Sequence, residues 1–84
     1  MTRYTVVWPS SVRDELAAVW LDASDRNAVT EAANSIDLQL ADNAALKGLE
    51  LHEGLRSLFV PPLRVLFAVR EEDLIVEVLR VTFL

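Results

Sequence analysis

The sequence has no cysteine. Disulfides, thiolate zinc sites, iron–sulfur clusters and thiol nucleophiles fall away together, and the composition suits a reducing, cytoplasmic setting. Lysine occurs once and histidine once, and 13 acidic residues outweigh 8 basic ones to give a formal net charge of −5. Phosphate backbones are held chiefly by lysine and arginine. Non-specific nucleic-acid binding is therefore not expected, and only a local cluster of arginines remains to be considered. Long apolar runs are missing too. Nothing approaches the roughly 18 residues of a membrane span, and the stretch Met1–Ser11 lacks the apolar centre of a signal peptide. Glycine-rich phosphate loops, nucleophile elbows and zinc-ligand spacings are also absent. No metal and no cofactor is expected.

What is abundant is apolar side chain. Hydrophobic residues make up 52% of the 84 positions, above the usual share, in a chain with room for one domain, residues 1–84. A small domain buries a smaller fraction of its surface than a large one. The excess belongs either to a dense core or to a face that a partner covers.

Arg3–Trp8 alternates, with Tyr4, Val6 and Trp8 on one side, and Pro9 ends it, which predicts a first strand. Ser11 and Asp14 have capping-box spacing, and Val12, Leu16, Val19 and Trp20 recur at helical intervals to about Leu21. Asp22 and Ser24 offer a second N-cap. Val29, Ala32, Ala33, Ile36 and Leu40 then form an amphipathic stripe, so two helices should pack as a hairpin. Asp42–Gly54 reads as a loop with an extended stretch through Leu49–Leu51. Leu55–Val60, Leu63–Arg70 and Leu74–Phe83 have strand periodicity, separated by Pro61-Pro62 and by Glu71-Glu72-Asp73.

The expected class is α+β in the order β-α-α-β-β-β, with a helical hairpin on one face of a small, mainly antiparallel sheet. Two helices shield one face only. The other should carry Leu66 and Ala68 beside Ile75 and Leu79, with the chain running on to Phe83; a contiguous apolar surface of this kind marks a protein interface. The rival reading buries these residues by sheet curvature and the Asp42–Gly54 loop.

Two stretches, set in this order of elements, resemble the RelE/ParE superfamily of type II toxin–antitoxin toxins. The first is Tyr4-Thr5-Val6-Val7-Trp8, followed by a helix through Leu16 and Trp20. The second is Gly54-Leu55-Arg56-Ser57-Leu58, then Pro62-Leu63-Arg64-Val65-Leu66-Phe67-Ala68-Val69. The resemblance covers nearly the whole chain and rests on order, spacing and length together. It implies one of two mechanisms. RelE-like members cut messenger RNA on the ribosome, which needs cationic and acid–base groups on the sheet. ParE-like members act on DNA gyrase through protein contacts.

By this resemblance Arg64 holds the place of a phosphate-facing arginine, and Arg56 lies one residue from a basic position of the RNases. The family's further arginine and its C-terminal tyrosine or histidine would fall at or beyond Leu84. Its lysines on the preceding strand are replaced by Leu55, Ser57 or Leu58. The expected protein is thus a toxin-like component working through protein contacts, with a cognate antitoxin as partner and gyrase or the ribosome as target. Its binding residues would be Arg56, Arg64, Leu66, Ile75, Leu79, Arg80 and Phe83. The alternatives are an endoribonuclease using Arg64 and Arg56, and an inactive scaffold that forms a homodimer.

Register decides whether Arg56, Arg64 and Arg80 converge. A two-residue turn at Glu71-Glu72 pairs Arg64 with Leu79, and a three-residue turn pairs it with Arg80. Converged guanidinium forks suit a carboxylate or phosphate; dispersed, the arginines pair with Glu50, Glu53 or Glu77. His52, between Glu50 and Glu53, reads as a solvated loop residue. Trp8 and Trp20 read as core anchors, and Asp14, Glu15, Asp22 and Asp25 as residues that favour helix starts.

Overall fold

Residues 2–84 are described by the structure, a computed structural model. Strand β1 (Thr5–Val7) leads into helices α1 (Ser10–Asp22) and α2 (Arg26–Ala41). A 3-10 turn at Ala44–Leu46 precedes four strands: β2 (Leu49–His52), β3 (Leu55–Val60), β4 (Leu63–Arg70) and β5 (Ile75–Phe83). They form one sheet in the order β1-β5-β4-β3-β2, with β1 parallel to β5 and the other pairs antiparallel. The α+β class and the one-sided hairpin are as the pattern implied. The extended stretch near Leu49–Leu51 adds a further strand at the edge.

Local chemistry moves several boundaries. Helix α1 starts at Ser10 with Pro9 as its N-cap, and no side chain caps it. The carbonyl of Pro9 instead accepts from Val12 and Arg13 N–H at 3.0 and 2.9 Å, so the Ser11–Asp14 capping box does not form. Asp25, not Asp22 or Ser24, caps α2, its Oδ1 accepting from Ala28 N–H at 3.0 Å. Asp22 is instead the last residue of α1. There Arg26 donates to the carbonyls of Trp20 and Leu21 at 3.1 and 3.0 Å. A guanidinium at a helix C-terminus satisfies free carbonyls and suits the dipole.

The core lies between the hairpin and the sheet. Val29, Ala32, Ile36 and Leu40 of α2 and Val12 of α1 pack on Leu58, Leu63, Val65, Phe67, Val76, Val78 and Val81. Trp8 packs against this cluster and donates its indole N–H to Asp37 at 2.9 Å. Trp20 is not a core residue. It stays 39% exposed on the hairpin, with its N–H on Thr30 at 3.2 Å and Arg26 stacked 4.8 Å above its ring. Both helices contact the same side of the sheet, since residues that face them alternate with residues that do not.

Candidate functional site

The helix-free face follows from strand register. Leu63, Val65 and Phe67 are fully buried, so Arg64, Leu66, Ala68 and Arg70 must point the other way. On β3 the cross-strand partners Leu55↔Ala68, Ser57↔Leu66 and Phe59↔Arg64 share that face. On β5 the partners are Ile75↔Arg70, Glu77↔Ala68, Arg80↔Leu66 and Thr82↔Arg64. Beyond β5, Thr5 and Val7 of β1 align with Ile75 and Glu77. Leu49 of β2, opposite Ser57, completes the surface. Its apolar side chains include Leu49, 66% exposed, and Phe59, 55% exposed.

Neither turn length considered from the sequence gives the register. Arg70 pairs with Ile75, so four residues, Glu71–Leu74, make the turn, and Leu74 adopts a left-handed φ of 53°. A bulge then intervenes where the pairing passes from Phe67↔Val78 to Leu66↔Arg80, leaving Leu79 unpaired. A bulge adds one residue to one strand and shifts everything after it. Arg64 therefore faces Thr82, and Arg80 lies diagonally across from it on the same side. Arg64, Leu66, Arg80 and Thr82 line a shallow cleft of about 100 Å³.

Arg56 is not part of that cluster. It pairs with buried Phe67, which sets it on the opposite side of the sheet from Arg64. Its side chain is only 15% exposed and lies 3.9 Å from Glu50. It donates to the carbonyls of Lys47 and Gly48 at 2.7 and 3.2 Å. These bonds fasten the loop that leads into β2. Phe83 likewise belongs elsewhere. It lines two hollows beside the turn that joins the two helices, with Ala18, Val19, Asp22, Ala23 and Ser24 in one and Pro61 and Pro62 in the other.

The remaining candidates divide by position. Leu66 and Ile75 are half-buried on the helix-free face, and Leu79 is 39% exposed at the bulge. His52 pairs with Leu55, four positions along β3 from Phe59, the partner of Arg64. At strand rise that is roughly 13 Å away. Its Nδ1 accepts from the Glu53 N–H at 2.9 Å, inside its own turn. Arg70 is paired with Glu77 at 2.9 Å.

Glu15 has a role that sequence reasoning missed. Its Oε1 accepts from the Val81 N–H at 3.1 Å, and its Oε2 is 3.9 Å from Arg80 Nε. Strand β1 ends opposite Glu77, so beyond that point the edge of β5 has no neighbouring strand, and Glu15 from α1 occupies one of its donors. With a sequence separation of 66 between the partners, no local pattern could have revealed this. Phe59 was discoverable: once Leu58 is assigned to the core, alternation alone puts Phe59 on the far side.

No protein-family model matches the chain, and no curated protein sequence is significantly similar to it. Solved structures are. The toxin–antitoxin complex RelBE2 from Mycobacterium tuberculosis aligns at a TM-score of 0.80 and 21% identity, over 100% of this chain and 94% of that one. A double mutant of the E. coli toxin RelE in the free state aligns at 0.73 and 10% identity, over 98% and 84%. The chromosomal ParDE system from P. aeruginosa aligns at 0.69 and 18% identity, over 98% and 97%. The chain has the RelE/ParE fold.

Proposed function

We infer that the chain is the toxin-like component of a toxin–antitoxin module and acts through protein–protein contacts, in the ParE-like manner. One observation carries this reading. The helix-free face has two arginines at one end; the strand positions bordering them are Leu66, Thr82, Ser57 and Phe59, and the carboxylate of Glu15, 3.9 Å from Arg80, has its other oxygen on the Val81 N–H. None of the four strand side chains titrates near neutral pH. Messenger-RNA cleavage needs a group that takes the ribose 2′ proton and another that protonates the leaving oxygen. His52 is too far along the sheet to do either, and Arg56 is turned to the other side. Exposed leucine and phenylalanine instead offer area for desolvation against a protein.

The solved relatives RelBE2 and ParDE are toxin–antitoxin systems, which supports an antitoxin as the partner here. Gyrase is the target that the ParE-like reading implies. The experiment is co-expression of the chain with the product of each adjacent gene. A stable complex with a small neighbour-encoded protein is the expected result, and failure of every neighbour to bind would remove the proposal. The ribonuclease reading is favoured by Arg64 and Arg80 lying diagonally adjacent on one face. It requires that induction cut translated messenger RNA and that Arg64→Ala abolish the cutting.

A further inference from the structure

We propose that the cleft between Arg64 and Arg80 receives a carboxylate side chain of the protein partner, with apolar residues beside that carboxylate covering Leu66 and Phe59. This rests on the protein-binding reading above and adds the chemistry of the partner.

Three observations converge on it. The first is charge. The protein carries a net −5, yet this corner of the sheet is cationic. Among the described residues Arg64 has no ion-pair partner, and Arg80 approaches Glu15 only at 3.9 Å, beyond hydrogen-bond length. Arg70, on the same face, is already matched by Glu77. On the helix-free side of β4 and β5 the uncompensated charge thus lies at one end of the strands, where a negative group would complement it.

The second is size. At about 100 Å³ the cleft lies far below the roughly 300–1,000 Å³ of small-molecule sites. It suits the head of one acidic side chain, which two guanidinium forks can hold with parallel hydrogen bonds. The third is the surroundings. Phe59 lies opposite Arg64, Leu66 lies opposite Arg80, and Leu49 follows across Ser57. A nucleic-acid strand would need a track of cations along its backbone, and two arginines followed by exposed leucine do not provide one. An acidic residue flanked by apolar ones fits both halves of the surface.

The test compares the full chain, Arg64→Glu and Arg3→Glu, which makes the same charge change elsewhere. Binding is measured to the purified neighbour-encoded protein and to a 20-nucleotide single-stranded RNA. Thermal melts of the variants confirm that both remain folded. The expected result is tenfold or greater weakening of protein binding by Arg64→Glu, little change with Arg3→Glu, and no RNA binding. An Asp or Glu to Lys change in the partner should then restore affinity for the Arg64→Glu chain. Equal binding by Arg64→Glu and the unaltered chain overturns the cleft but leaves the protein-binding reading standing. Equal losses in both variants also overturn it, because net charge alone would explain them. Absence of any complex defeats both, and RNA binding that depends on Arg64 replaces the carboxylate with a phosphate.

Discussion

Gly48 and Arg56 bear on the same junction from its two sides. Gly48 has φ of +66°, and a Cβ there would lie 1.9 Å from the Ser57 carbonyl oxygen. Left-handed backbone alone costs a side chain about 1–2 kcal/mol, and the clash adds to it. Gly48→Ala should therefore lower stability by more than that conformational cost, read from urea denaturation. Arg56 donates to the Lys47 and Gly48 carbonyls from a mostly covered position. Hydrogen bonds from a charged donor contribute about 1.5–3 kcal/mol. Arg56→Met should destabilise within that range and leave partner affinity through the helix-free face unchanged. An equal loss of affinity without loss of stability would return Arg56 to the binding site.

Among the elements, helix α2 provides a discriminating comparison. Asp25 accepts from Ala28 N–H while Asp22 ends the preceding helix. Replacing an N-cap aspartate by alanine costs about 1 kcal/mol. Asp25→Ala should thus lower the melting temperature measurably, and Asp22→Ala should not. The helical stripes and the alternation of β4 could be read from the chain because periodicity is a local property. The helix-free face followed from that alternation as soon as Leu63, Val65 and Phe67 were assigned to the core. The approach of Arg80 to Arg64 could not be read. It depends on a four-residue turn closing with Leu74 at positive φ and on a bulge at Leu79, and neither glycine nor asparagine marks those places. Strand β1 also shortened, because β5 begins only at Ile75, opposite Thr5, and Pro9 already caps helix α1 just past Val7.

At the scale of the molecule, one layer of helices on one sheet divides the chain into a sealed side and an open one. Phe67 sits at the centre of the sealed side, fully buried. Truncating such a residue costs about 3–5 kcal/mol, a large part of the roughly 5–15 kcal/mol that holds a domain together. Phe67→Ala should leave the chain largely unfolded or sharply destabilised by circular dichroism. Phe59→Ala, on the open side, should keep the fold and weaken partner binding. The open side is where function has to reside under this account, as a surface that docks protein and lacks the groups for proton transfer.

The most direct measurement of that claim is a map of messenger-RNA ends after brief induction of the unaltered chain and of Arg64→Ala. The account predicts no cleavage in translated transcripts with either protein. Cuts within codons that appear with the unaltered chain and vanish with Arg64→Ala would contradict it.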